Sequence, residues 1–149
     1  MTPGEAVIEK LHVVPADRIL DLGCGDGASS RRLARLASGG LAIGVDTSDD
    51  MVRLARRLSV DIENLMFVLG SPEEIPWQED FFSKVLRATS NETWPHSERA
   101  AREIFRVVAP GGLVFALGSE WENDLAAAGF CSIQSHPTPA GILIEGRKP

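Results

Sequence analysis

Short apolar runs alternate along the chain with segments whose apolar residues recur at the three- and four-residue spacing of helices. The runs are short enough for strands, and polar or glycine-rich connections separate them. The predicted strands are 18–22, 41–45, 65–69, 84–87, 113–117, 130–135 and 141–146. Strands that alternate with helices predict an α/β fold with a mainly parallel sheet.

The segments between the strands carry the signals of helix ends. Thr2 and Glu5 form a capping-box pattern for a helix over about 3–11, and Ser48 and Ser97 precede two later helical patterns. The inner faces predicted for the second and third helices are Leu33, Leu36 and Ala37, and Met51, Ala55 and Leu58.

The remaining patterns complete the predicted fold. The glycines of 110–112 stop the helix that follows Ser97, and a last helix runs over about 120–128. The prolines of 137–140 turn the chain between the last two strands, so that pair is expected to be antiparallel. The run 65–69 is apolar throughout, which predicts a strand covered on both faces.

Composition sets few further limits. The chain has 149 residues, enough for one domain over 1–149, and a net charge of −6 that argues against nonspecific binding to nucleic acid. No apolar run is long enough to cross a membrane, and residues 1–5 do not resemble a signal peptide. Two cysteines without a disulfide framework indicate a reducing cytoplasm, and no Cys/His cluster has metal-ligand spacing.

The most informative segment is the glycine loop, residues 21–27, between the first strand and the next helix. Its glycines allow positive φ and let a ligand approach the backbone, and Asp46 ends the second strand where a carboxylate can accept ribose hydroxyls. The spacing fits a dinucleotide as well as S-adenosylmethionine. Asp21 and Asp26 flank the glycines, which favours the cationic S-adenosylmethionine over a pyrophosphate. Asp21 acting only as a cap of the following helix is the structural alternative.

Four segments in order resemble class I S-adenosylmethionine-dependent methyltransferases, closest to the quinone-biosynthesis-like small-molecule subgroup. They are 19–27, 44–51, 70–77 and 102–113, within a resemblance that covers about 18–117. The resemblance implies a Rossmann-like doubly wound sheet with strand order 3-2-1-4-5-7-6, strand 7 antiparallel, and helices on both faces. It implies methyl transfer from S-adenosyl-L-methionine to an unidentified acceptor.

The resemblance also implies a set of cofactor contacts. Asp21 and the backbone of Gly23, Cys24 and Gly25 hold the methionine part, and Asp46 holds the ribose. The residues that border the adenine, the ribose or the sulfonium are Thr47, Met51, Ser71, Pro72 and Ala88. Ser71 stands where the family often has an acid that bonds the adenine amine. For Met51, ordinary helix core is an equal alternative.

The acceptor side departs further from the family. Glu92 is the candidate general base, in place of a His-His pair that is frequent in the subgroup, and Arg87, Asn91 and Trp94 are candidate acceptor contacts. Only 118–120 separates the fifth strand from the last helix, so we expect an open site that a homodimer or a partner subunit covers. A non-catalytic S-adenosylmethionine-binding module, or a subunit of a larger methyltransferase complex, is the alternative function. A nucleotide-dependent oxidoreductase is a third.

Overall fold

The computed structural model describes residues 1–88 and 94–149. The helices are α1 (Pro3–Glu9), α2 (Ala28–Leu36), α3 (Asp49–Leu58), α4 (Ser97–Val107) and α5 (Trp121–Ala128). The strands are β1 (Arg18–Leu22), β2 (Leu41–Asp46), β3 (Leu65–Leu69), β4 (Phe82–Arg87), β5 (Val108–Leu117), β6 (Cys131–Thr138) and β7 (Gly141–Arg147). None of the helices among these residues is long and apolar enough to cross a membrane.

The strands form one sheet in the order β3-β2-β1-β4-β5-β7-β6, as predicted. Strands β1 to β5 pair in parallel, and β7 pairs antiparallel with both β5 and β6. The strand order reverses between β1 and β4, which is where sheets of this kind bind ligands beyond their carboxyl ends.

Apolar side chains on both faces of the sheet bury the strands under helices. Helices α1 and α2 pack on one face, where Leu33 and Ala37 join Ile19 and Phe115. Helices α4 and α5 pack on the other face. There Ile104, Val107 and Leu125 contact strand residues that include Leu20, Val85 and Ile144. A smaller cluster under α3 contains Cys24, Val52, Ala55 and Phe67.

Strand β3 is an exception to the expectation of two covered faces. It is the edge of the sheet, so it has one neighbouring strand and incomplete helix cover. Met66 is 55% exposed and Leu69 49% exposed, whereas Phe67 is buried. The predicted strand order already places this strand at the edge, but the apolar run 65–69 predicted cover on both faces, because a run of apolar residues does not show how much of a strand the helices cover.

The inner faces predicted for two helices are confirmed only in part, since Leu33, Ala37 and Ala55 are buried. Leu36 and Leu58 are exposed, because α2 buries Leu33 and Ala34 and α3 buries Val52 and Ala55. Each helix is therefore rotated away from the face that the leucines indicated.

Two of the three predicted caps are confirmed. Thr2 makes the full capping box, and the Ser48 hydroxyl accepts the Met51 amide at 3.3 Å. The predicted Ser97 cap is wrong, because His96 occupies the N-cap position, without a capping bond from its side chain, and the Ser97 hydroxyl donates to Asp124 of α5 at 2.6 Å.

A buried ion pair closes the end of the sheet opposite the glycine loop. Lys84 Nζ of β4 donates to Asp17 Oδ2 at 2.8 Å and to the His12 carbonyl at 2.9 Å. Burial raises the pKa of Asp17, but bonds from Lys84, the Val14 amide and Ser83 outweigh it, so this pKa lies below its ordinary value. Lys84 therefore has a structural role.

Candidate functional site

The candidate site is a crevice beyond the carboxyl ends of β1, β2 and β3, beside the point where the strand order reverses. Its walls come from the glycine loop, the end of β2, the connection after β3 and one aromatic residue. The lining residues are Leu22, Gly23, Val45, Asp46, Thr47, Gly70, Pro72 and Trp94.

The glycine loop bends sharply between β1 and α2. Gly23, Gly25 and Gly27 have φ of 81°, 55° and 86°, in the left-handed region that L side chains rarely adopt. Apart from Gly25 and its two chain neighbours, no heavy atom of the described residues lies within 4 Å of where a Cβ at Gly25 would stand, so one side of the loop is not covered by them. A ligand can therefore approach the backbone directly at this position.

Protein groups already accept several of the loop's N–H groups. The amides of Gly23 and Cys24 donate to the Val45 carbonyl at 2.8 and 3.1 Å, and the Gly25 amide donates to Asp46 Oδ2 at 2.8 Å. These bonds fasten the loop to the end of β2. They also use the donors that a phosphate group at such a loop would need.

The amino end of α2 is occupied in the same way. The Ala28 amide donates to Asp26 Oδ1 at 3.2 Å, so an acid of the loop itself accepts one of the first helical N–H groups. Asp26 rather than Asp21 is thus the acid that satisfies this helix end.

Asp46 is 6% exposed, and both of its oxygens have backbone partners. Oδ2 accepts the Gly25 amide and Oδ1 accepts the Ser48 amide at 2.9 Å. The carboxylate is therefore held in one orientation at the crevice wall, between the glycine loop and the start of α3. Its remaining lone pairs can accept further hydrogen bonds.

Asp21 lies beneath the loop, at the end of β1, and is 2% exposed. Its Oδ2 accepts the Ser30 hydroxyl at 2.6 Å. Burial raises the pKa of Asp21, the bond from Ser30 opposes that effect, and the nearby negative charge of Asp46 raises it further, to about 6. Asp21 is an acid whose charged form needs a cation.

These features make the crevice electronegative. Asp21 and Asp46 supply two buried carboxyl groups, while the amides of Gly25 and Ala28 already have carboxylate partners. A pyrophosphate would meet negative charge at these positions, where the Gly25 and Ala28 amides are already bonded, whereas an ammonium or a sulfonium would meet complementary charge.

Three residues predicted to contact a cofactor occupy different positions. Thr47 lies at the crevice, exposed, next to Asp46. The Cys24 thiol points into the cluster under α3, so Cys24 offers the crevice its backbone rather than its side chain. Met51 is half-buried on α3, on a surface away from the residues that line the crevice.

The segment after β3 also reaches the site. Pro72 is buried at the crevice, while the Ser71 hydroxyl accepts the Glu73 amide at 3.1 Å within a local turn. Ala88 follows β4 and packs against the α1–α2 side of the core.

The predicted acceptor residues are only partly described. Asn91 and Glu92 lie outside the described residues, so their roles stay predictions. Arg87 is 2% exposed, and its guanidinium carbon lies 4.2 Å from the centre of the Trp94 ring. Trp94 also meets Trp121 edge-on, with ring centres 5.6 Å apart. The structure thus brings a buried cation and two indoles together beside the crevice.

Sequence reasoning missed two supports of the site. The Ser30 hydroxyl donates to Asp21. The sequence indicates this contact only by a serine nine residues after the acid, in the first turn of α2. Arg106 of α4 donates to the carbonyls of Ile75 and Trp77 at 2.9 Å each, and Glu103 accepts the Ile75 amide. This pair fixes the connection that carries Pro72.

Comparison with known proteins assigns this arrangement to a family. A profile described as "Methyltransferase domain" matches residues 20–116, which include the glycine loop, Asp46 and β4. The chain belongs to the class I S-adenosylmethionine-dependent methyltransferase family. The predicted resemblance is confirmed.

Individual relatives agree with this membership of the methyltransferase family. A phthiotriol/phenolphthiotriol dimycocerosates methyltransferase of Mycobacterium ulcerans is 30% identical over 118 residues, 74% of this chain and 43% of that protein. A fatty-acid O-methyltransferase of Mycolicibacterium smegmatis is 31% identical over 122 residues, 77% of this chain and 44% of that protein. The chain thus spans less than half the length of these curated relatives.

A solved structure shows the same fold. A putative S-adenosyl-L-methionine-dependent methyltransferase of Methanococcus maripaludis superposes with a TM-score of 0.84 at 21% identity, over 97% of this chain and 83% of that one. S-adenosylmethionine is the cofactor of this methyltransferase family. The residues present fit it, because Asp46 lines the crevice, Asp21 lies buried beneath the adjoining loop, and the backbone face at Gly25 is open to a cationic ligand.

Replacing Asp21 should stabilise this methyltransferase domain. Because the pKa of Asp21 is raised to about 6, its stabilising effect is full below about pH 4 and is lost as the pH rises through 6. At pH 7.5 the ionised acid is a buried charge, so Asp21→Asn should raise the free energy of unfolding by roughly 1–3 kcal/mol. Thermal unfolding without cofactor should show a melting temperature higher by several degrees, and a gain that vanishes near pH 4.

Asp61→Asn is the matched control, since Asp61 is exposed on the connection after α3. It should leave the melting temperature unchanged at both pH values. An Asp21→Asn protein that is less stable than the wild type at pH 7.5 would contradict the assignment of Asp21 as a buried acid without a cation.

Proposed function

We propose that this domain transfers a methyl group from S-adenosylmethionine to a small-molecule acceptor. The observation that carries the proposal is the electronegative crevice: Asp46 lines it, Asp21 is buried beneath the adjoining glycine loop, and the Gly25 amide already bonds the Asp46 carboxylate. S-adenosylmethionine brings an ammonium and a sulfonium and no phosphate, so its charge complements this surface.

The proposed contacts follow the positions of the side chains. Asp21 faces the ammonium of the methionine part, together with the backbone of Gly23 and Gly25. Asp46 accepts the ribose hydroxyls with the lone pairs that its backbone partners leave. Thr47 and Pro72 line the crevice on the side proposed for the ribose and the adenine.

The bound donor supplies a methyl group on a positively charged sulfur, which is already activated toward a nucleophile. The chain then contributes position: Asp46 and the glycine loop fix the donor, and the region of Arg87 and Trp94 fixes the acceptor. Holding two reactants in line can supply effective molarities of about 10⁵ M or more. In this proposal Glu92 is the general base that takes a proton from the acceptor.

The proposed acceptor is an acidic molecule with an apolar body. Arg87 can face an anion, and Trp94 and Trp121 provide apolar surface beside it. Two relatives are named as methyltransferases of phthiotriol/phenolphthiotriol dimycocerosates and of a fatty acid. Long-chain carboxylic acids are therefore the first acceptors to test.

Loss of Asp46 should weaken cofactor binding. Asp46→Ala removes charged hydrogen bonds to the ribose and should cost about 2–4 kcal/mol of binding free energy. Calorimetric titration with S-adenosylmethionine measures this cost, with Asp61→Ala as the control that leaves affinity unchanged. A change of less than about threefold for Asp46→Ala, roughly 0.65 kcal/mol, would overturn the ribose assignment. Titration with NAD should give no binding to the wild type.

Product formation tests the catalytic part of the proposal. The wild-type protein is incubated with labelled S-adenosylmethionine and a panel of long-chain carboxylic acids, long-chain alcohols and small polar acceptors. We expect S-adenosylhomocysteine and a methylated product with the carboxylic acids, and less with Arg87→Gln. Binding of the donor without product from any acceptor would instead support the non-catalytic binding module.

We also propose that a second copy of the chain, or a partner subunit, covers the acceptor side, in the reducing cytoplasm. The connection 118–120 between β5 and α5 is short, and Cys24 and Cys131 are free thiols. Light scattering on the active protein should give a mass above that of one chain. A monomer at every working concentration with full activity would refute self-assembly as the cover.

A further inference from the structure

A row of three side-chain positions crosses the sheet beneath the glycine loop. Asp21 of β1, Gly44 of β2 and Phe67 of β3 are neighbours in register, so they lie on one face of the sheet. Gly44 has no side chain, and the ring of Phe67 fills the space above it. A Cβ at Gly44 would lie 2.6 Å from Phe67 Cδ1.

The same ring also reaches the glycine loop. Gly27 ends the loop and begins α2, and a Cβ there would lie 2.6 Å from Phe67 Cζ. Phe67 is 5% exposed and packs with Cys24 of the loop and with Val52 and Ala55 of α3. One aromatic ring therefore separates the loop from the strand beneath it.

An arginine holds the outer side of the loop. Arg31 Nη1 donates to the Asp26 carbonyl at 2.8 Å and to the Ser59 hydroxyl after α3 at 3.2 Å. Arg56 Nη2 in turn donates to the Phe67 carbonyl at 2.8 Å. The loop is thus joined to α3 and β3 by an aromatic contact below and by hydrogen bonds at its side.

We infer that Phe67 is a positioning residue for cofactor binding, with Arg31 as its counterpart on the outer side of the loop. The inference rests on the proposed function, because it assigns the loop to S-adenosylmethionine. The ring sets the distance of the loop from β2, and with it the bond between the Gly25 amide and Asp46. Neither Phe67 nor Arg31 lines the crevice, so both act through the backbone of the loop.

Hydrogen exchange on the cofactor-free protein tests this positioning without reference to binding. Phe67→Leu removes the ring, so the Gly25 amide is expected to exchange about tenfold faster. This factor corresponds to a value near the middle of the interaction energies usual for residues in contact. Phe82→Leu is the matched control, since Phe82 is fully buried at the opposite end of the sheet. It should lower the melting temperature but leave exchange in the loop unchanged.

Binding is then measured by calorimetry with S-adenosylmethionine. Phe67→Leu and Gly44→Ala should each raise Kd about tenfold, and Phe82→Leu should change it less than about twofold. In the double variant the missing ring makes room for the new methyl group, so Kd should lie well below the product of the single effects. The rescue is partial because Cys24 Sγ lies 2.9 Å from the same position. If Phe67 had a purely structural role, its replacement would lower the melting temperature but would not change how the Phe67→Leu and Gly44→Ala effects on Kd combine.

Two results would overturn the inference. One is a folded Phe67→Leu protein with wild-type exchange in the loop and wild-type Kd, and the other is strict additivity of the Phe67→Leu and Gly44→Ala effects. If Phe67→Leu does not fold, Arg31→Gln decides, because Arg31 is only half-buried: faster exchange at Gly25 supports the inference and unchanged exchange refutes it. A wild type that does not bind S-adenosylmethionine would instead refute the proposed function, while the exchange data still judge Phe67.

Discussion

The hydrogen bond between the Gly25 amide and Asp46 connects the two parts of the chain on which the site depends. It joins a loop that follows β1 to an acid that ends β2, at 2.8 Å. Asp46 thereby shapes the loop, consumes a donor that a phosphate would need and keeps a carboxylate at the crevice wall. Without this bond the glycines would be free to adopt other conformations, since they pay no steric penalty for leaving this one. One contact thus fixes both the shape of the glycine loop and the position of the negative charge at the crevice wall.

The two ends of β1 carry buried acids with opposite roles. Asp17, just before the strand, meets Lys84 and two further donors, and its pKa is lowered despite burial. Asp21, at the other end, meets the Ser30 hydroxyl and the negative charge of Asp46, and its pKa is raised to about 6. The first acid is satisfied within the protein and stabilises the fold. The ionised form of the second destabilises the fold at neutral pH, and this is the property that the proposed binding of a cationic ligand would use.

The sequence predicts most of this fold because its signals are local. Strand-length apolar runs, the Thr2 and Ser48 caps and the glycine loop each depend on neighbours in the chain, and the structure confirms them. The bounds are less exact: α4 ends at Val107, before the glycines predicted to stop it, and β5 begins at Val108 and includes them. The errors arise where the environment is set by distant elements. Ser97 is a residue type that favours helix caps, but its hydroxyl bonds Asp124 of α5. The exposure of Met66 and Leu69 on β3 depends on how far the helices cover the edge of the sheet. The same limit applies to the site: Asp21 and Asp46 are visible in the sequence, whereas Ser30 and Phe67 need the register.

Gly44 shows how far that limit reaches. A glycine inside a strand indicates that another group approaches the backbone closely, so the sequence predicts a close contact at Gly44. The sequence does not identify the group that makes this contact. Phe67 makes it because β3 pairs with β2 in a register that aligns Phe67 with Gly44. The same pairing leaves β3 at the edge, where Arg56 covers the Phe67 carbonyl and so occupies an acceptor that another strand would use. Strand β3 therefore supports the glycine loop from a position where it would otherwise be open to pairing with other chains.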